Sequence, residues 1–175
     1  MQSMSPEQAT FLLQGVQIPA WKRESATTKQ VLAAVPTSNV DHRPDPASKT
    51  GMELVRHIAN SDIRFLQTVV QGAFTAGPTL IPDSARTPSE IADWYSQECS
   101  RQFDAIAKLT PEQLLKPVDF RGMFTMPAVN YLQMGLHHSI HHRGQLTTYL
   151  RAMGGKVPAI YGESFDSAQA KNATA

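Results

Sequence analysis

An all-α bundle is the fold class the sequence predicts, on three observations. Helix starts built on Ser or Thr recur along the chain, apolar residues keep helical rather than strand spacing, and the intervening segments are rich in residues that interrupt helices. The chain has 175 residues, 41% of them hydrophobic and 18% charged, which suits one domain over residues 1–163. A domain of that size buries roughly 70% of the surface its unfolded chain exposes.

The elements follow in order. "SPEQ" (5–8), "TGME" (50–53), "TPSE" (87–90) and "TPEQ" (110–113) each set Ser or Thr three residues before Glu or Gln. In that arrangement the hydroxyl accepts from the third helical amide while the longer side chain reaches back to the cap amide, satisfying two orphaned donors. Three of these signals place Pro at the first helical position, where its missing N–H costs nothing. The spacing predicts helices over about 6–35, 51–75, 88–109 and 127–153, with a short one near 111–115. Pro19 is expected to kink or interrupt the first.

The connections "VPTSNVDHRPDPASKT" (35–50) and "AGPTLIPDSART" (76–87) are rich in Pro, Ser, Asp and Gly, and "KPVDFRGMFTM" (116–126) has room for a short extended piece. After "MGGK" (153–156) closes the last long helix, residues 164–175 have little to bury and are expected to form a mobile tail.

Several function classes fall away on composition. A formal net charge of +1 with scattered Lys and Arg offers no clustered cations for nucleic acid. No apolar run approaches the ~18 residues of a membrane span. The single cysteine, Cys99, excludes an internal disulfide and reads as a small packing residue. The start "MQSMSPEQ" lacks the basic and apolar segments of a secretory signal, so a cytoplasmic protein is expected.

The chemistry concentrates in "GLHHSIHHRGQL" (135–146), which holds four of the six histidines. Two pairs there are spaced i, i+4, His137 with His141 and His138 with His142, and either could present two imidazoles to one ion. Spacing does not choose between them, but the helix faces do. Val129, Leu132, Leu136, Ile140, Thr147, Leu150 and Met153 form the main core stripe. His137 and His141 fall on a polar face with Asn130 and Thr148. His138 and His142 share a sector with Tyr131, Gly135 and Tyr149, a mixture expected where a helix lines an internal cavity. His138 and His142 are therefore the candidate ligands, with packing as the expected role of the two tyrosines. Neither pair is a zincin site, because no Glu follows the first His.

A third ligand must come from elsewhere. His42, in "DHRPDP", reads as a solvated loop residue. His57 is better placed, at the edge of an apolar arc of the second long helix through Leu54, Val55, Ile58, Phe65, Leu66 and Val69. Arg143 falls near the core stripe of the last helix, and an unpartnered buried guanidinium is very costly. The expected partner is Asp62, with Glu98 as the alternative.

With "HIANSD" (57–62), "HSIHHRGQ" (138–145) and "YLRAMGGKVPAIYGES" (149–164) in view, the chain resembles the DinB-like superfamily of damage-inducible proteins and related metalloenzymes. Members carry a His early in the second helix, typically with an acidic residue five positions on, and an HxxxHRGQ-like motif in the last long helix. The resemblance selects His57, His138 and His142. It implies an up-down-down-up four-helix bundle, often a homodimer, with a divalent metal on the three histidines. Some relatives are metal-dependent enzymes using low-molecular-weight thiols, including S-transferases.

Three imidazoles on a dication leave a position for water or an anionic ligand, as expected of a catalytic site. Zinc is the expected ion, with nickel or iron next, since imidazole accepts all three. The ion would activate a thiol or water nucleophile acting on a small molecule, and no general base is identifiable. The alternative is a non-catalytic helical binding or interaction protein whose metal site is structural or vestigial.

Overall fold

The cap signals act where the sequence puts them. In the computed structural model, which describes residues 4–173, the side chains of Ser5, Thr50, Thr87 and Thr110 close complete capping boxes. They start helices α1 (Pro6–Phe11), α3 (Gly51–Gln71), α4 (Pro88–Ile106) and α5 (Pro111–Leu115). Helix α1 runs on through a π-helical segment, Leu12–Gln17, into α2 (Ile18–Ala33). The interruption expected at Pro19 takes this form. Pro19 has no N–H for the carbonyl one turn back, and the ladder widens just before it, with the Ile18 amide bonding to the Leu13 carbonyl.

The extended piece is a hairpin, β1 (Pro117–Phe120) paired antiparallel with β2 (Phe124–Pro127), Phe120 opposite Phe124. It leads into α6 (Asn130–Leu150). Helix α3 ends at Gln71 rather than 75 because Gly72 adopts the left-handed conformation, φ 62° and ψ 31°, which only glycine takes without cost. Within the segment expected to be a mobile tail, Phe165–Asn172 form a further helix, α7, capped by Ser164. Asp166 ties it down by accepting from Arg151 and from the Val157 amide. Residues 174 and 175 lie outside the described residues.

Four helices, α2, α3, α4 and α6, make the bundle, and cross-helix pairs fix their directions. Lys29 meets Asp93 and Trp21 meets Phe103, so α2 and α4 run antiparallel. Tyr95 bonds Asp62 and Arg56 bonds the Ala85 carbonyl, so α3 and α4 run parallel. Asp62 with Ser139 and His57 with His142 make α3 and α6 antiparallel. The order is up, down, down, up. A parallel α3–α4 pair requires a crossover, and Arg64 staples it by donating to the carbonyls of Thr75, Gly77 and Pro78 while Asn60 accepts from the Leu80 amide. No helix among the described residues is long and apolar enough to cross a membrane.

The core between the four helices is built on Trp21, Leu54, Ile58, Leu66, Ile91, Tyr95 and Leu132, all fully buried. The Trp21 indole N–H donates to the Leu132 carbonyl at 2.8 Å and the Tyr131 hydroxyl to the Val118 carbonyl at 2.9 Å, so both large amphipathic side chains are satisfied. Helices α3 and α6 approach so closely at Gly135 that a Cβ there would sit 2.7 Å from the Phe65 Cβ.

Arg143 pairs with neither expected carboxylate. Its guanidinium reaches toward α2 and donates to the Glu24 carboxylate at 2.6 Å, the Glu24 carbonyl at 3.1 Å, Thr28 Oγ1 at 3.2 Å and the Tyr161 hydroxyl at 2.7 Å. Asp62 is occupied by the hydroxyls of Tyr95 and Ser139, and Glu98 by Gln102 and Arg101 of its own helix. The long Arg143 side chain leaves the α3 side of its helix altogether, which a wheel of α6 alone does not reveal.

Candidate metal centre

Two adjacent core helices bring three histidines together. His138 and His142 stand one turn apart on α6, and His57 faces them from α3, about two turns before the close approach at Gly135 and Phe65. One ring nitrogen from each lies within 4.8 Å of the others. The ring centroids are 4.9 Å apart for His57 and His138, 4.5 Å for His57 and His142, and 4.5 Å for His138 and His142. All three rings are half-buried.

The surroundings keep imidazole neutral. Burial, reinforced by the neighbouring His142, pushes both His57 and His138 down to about 4. Neither is an imidazolium at neutral pH, so each keeps one ring N–H and offers the lone pair of its other nitrogen. His138 Nδ1 is buried with no hydrogen-bond partner, an orphan that ordinarily costs about 1–3 kcal/mol unless something binds it. His142 Nδ1 lies 3.0 Å from Gln145 Oε1, and the Gln145 amide in turn donates to the Tyr149 hydroxyl at 3.4 Å. A Gln145 oxygen accepting from Nδ1–H leaves Nε2 as the free donor of His142. A cluster of imidazoles with one orphaned buried nitrogen and one oriented ring fits a divalent ion.

The other histidines lie elsewhere. His137 and His141 are exposed, and His137 is 2.6 Å from the Gln133 amide nitrogen. His42 is less solvated than its loop suggests, half-buried with its ring edge-on to Tyr149 at 6.0 Å. Tyr131 and Tyr149 are buried packing residues. Cys99 is 2% exposed, and burial together with the nearby Asp62 carboxylate pushes its thiol far up, which disfavours the thiolate.

Sequence reading missed two features of the site. Gln145 was visible in the motif, and its three-residue spacing from His142 on a helix was the available signal. The second is a cavity of about 420 Å³ lined by His138, Phe65 and Phe120, which joins the last helix to the hairpin and has no local signature. A hollow of about 620 Å³ between Phe11 and Pro111 is larger but shares no residue with the histidines.

The fold and site together define an up-down-down-up helical bundle with a three-histidine cluster between two of its core helices. The DinB family model matches residues 9–173, and the chain belongs to the DinB family. YjoA of Bacillus subtilis, itself described as uncharacterized, is 25% identical over 129 residues, covering 73% of this chain and 82% of YjoA. YrdA of the same organism, likewise uncharacterized, is 36% identical over 83 residues, 47% of each chain. The crystal structure of YjoA superposes with a TM-score of 0.69 at 22% identity, over 85% of this chain and 99% of that one. A DinB-like protein from Bacillus cereus ATCC 10987 gives 0.62 at 25% identity, over 83% of this chain and 95% of that one.

Proposed function

We propose that the protein is a metal-dependent enzyme acting on a small molecule, with His57, His138 and His142 as the ligands of a divalent ion, zinc first and nickel or iron next. The observation that carries this reading is the convergence of one nitrogen from each of the three histidines within 4.8 Å. A dication at that point supplies a positive charge beside which a thiol or a water molecule loses its proton more easily. The resemblance to thiol-using relatives favours a low-molecular-weight thiol as the nucleophile and S-transfer as the reaction.

The chain's own residues have separable tasks. His57 fixes the cluster to α3 and the other two to α6, Gln145 orients the His142 ring, and the cavity beside His138 admits a second reactant. With three protein donors the ion keeps room for an exogenous ligand. A homodimer in the cytoplasm completes the proposal, supported by the resemblance and by the exposed apolar side chains Phe11 and Phe124.

Metal analysis of protein purified without a histidine tag tests the site. One ion per chain is expected, lost in His57→Ala, His138→Ala and His142→Ala and retained in His137→Ala. Screening the loaded protein with small thiols and electrophiles then tests the reaction, and equal metal loss in the His137 variant would refute the ligand assignment.

A further inference from the structure

The cavity beside His138 has a chemical character of its own. Its wall is a continuous aromatic line: His138 contacts Phe65 with ring centroids 5.6 Å apart, Phe65 contacts Phe74 at 6.5 Å, and Phe74 contacts Phe120 at 4.5 Å. Met134 adds a polarisable apolar surface. Such a slot suits a flat apolar body, and its volume of about 420 Å³ falls in the range of small-molecule sites.

The charged groups at the cavity are of one sign. Arg64 and Arg121 both line it, and no acidic side chain does so among the described residues. The two arginines differ in what they have left to give. Arg64 is spent on three backbone carbonyls of the crossover. Arg121 is exposed and has no hydrogen-bond or ion-pair partner among the described residues, so its fork of donors is free. It stands at the first central position of the hairpin turn with φ 57°, followed by Gly122 at φ 73°, where the Met123 amide closes back on the Phe120 carbonyl. Turns of this hand favour Asn, Asp or Gly at that position. The backbone gains nothing from an arginine there, and the use of the residue lies in its side chain.

We infer that this cavity binds an aromatic carboxylate, with the ring system against Phe65, Phe74 and Phe120 and the carboxylate on Arg121. This names the class of the second reactant and rests, for its place in a reaction, on the proposed metal site. The binding itself depends only on the cavity. Arginine recognises a carboxylate through paired N–H donors, which an alcohol of the same shape cannot engage equally.

Titration calorimetry with 2-naphthoate and with 2-naphthalenemethanol, on zinc-treated and chelator-treated full-length protein, tests the inference. The carboxylate is expected to bind about fivefold to tenfold more tightly than the alcohol in both preparations. Arg121→Gln should abolish that preference, Arg121→Lys should keep part of it, and Phe74→Ala should weaken both ligands alike. The turn is exposed, so the Arg121 variants test binding without testing folding. Equal binding of the two probes by the unaltered protein, or an unchanged preference in Arg121→Gln, would overturn the inference. Zinc bound at one per chain with no carboxylate preference would sink this inference alone, and a clear preference without zinc binding would sink the metal site alone.

Discussion

Arg143 and Glu24 form a bridge of 2.6 Å between α6 and α2, with the arginine side chain 2% exposed and the glutamate 16%. This asymmetry decides which partner is more costly to remove. Deleting Arg143 leaves a carboxylate with a path to water, whereas deleting Glu24 strands a guanidinium in the core. Breaking a buried pair from one side costs about 3–5 kcal/mol. Glu24→Ala is therefore expected to fall in that range and Arg143→Ala below it, as read by urea unfolding. The reverse order would mean that Thr28, Tyr161 and the Glu24 carbonyl suffice for the guanidinium.

Gln145 touches His142 without belonging to the cluster. Removing a hydrogen bond that orients a ligand typically costs about 10–100-fold in metal affinity. Gln145→Leu should therefore raise the zinc dissociation constant by that factor while leaving one site per chain, measured by competition with a chromogenic chelator. Complete loss of the site would make Gln145 itself a ligand, and no change would remove its orienting role.

The cap residues made α1, α3, α4 and α5 legible, since each start is a local hydrogen-bond device written within four residues. That His138 and His142 turn inward toward His57 while His137 and His141 face outward was legible too, as faces follow from the helical period. The partner of Arg143 was not, because Glu24 lies 119 positions away on a helix whose rotation about the bundle no local pattern records. The hairpin cavity depends on how Phe120 of β1 meets Phe74, beyond the end of α3, and Tyr131 of α6, which is again a tertiary matter. Gly144, part of the motif that carries the resemblance, has open space around its would-be Cβ, and nothing in the structure explains it.

Gly135 sets the distance between the two helices that carry the three clustered histidines. A Cβ there would stand 2.7 Å from the Phe65 Cβ and 3.0 Å from Trp21, both fixed core side chains. Overpacking costs about 1–3 kcal/mol, while alanine regains about 1 kcal/mol of helix propensity. Gly135→Ala is expected to destabilise by about 0–2 kcal/mol, and Gly135→Val by more, since the valine adds volume and no propensity gain of that size. Because Phe65 also packs on His138, both variants should loosen metal binding. A stabilised Gly135→Val protein would show that the helices can separate freely.

Asp62 gives the fold a pH dependence that its partners only partly offset. Burial pushes its carboxyl up to about 7, against the hydroxyls of Ser139 and Tyr95 and the more distant Arg143 charge, which all favour the ionised form. Both hydroxyls converge on Oδ2, leaving Oδ1 buried without a partner. The unfolded chain releases this proton near 3.8, so between about 4 and 7 the folded state holds a proton that the unfolded state has lost. The contribution is therefore fully present below pH 4 and is lost as pH rises through 7, a change of about 4 kcal/mol at 1.36 kcal/mol per unit. His57 and His138, lowered to about 4, act in the opposite sense, adding stability above 6.5 that is lost on acidification. Comparing the metal-free protein with Asp62→Asn at each pH cancels the histidines and isolates the carboxyl. The stability of the unaltered protein relative to the variant should fall steadily from pH 4 to 8 in urea titrations, and a flat difference would show that Asp62 ionises in the folded state as readily as in the unfolded one.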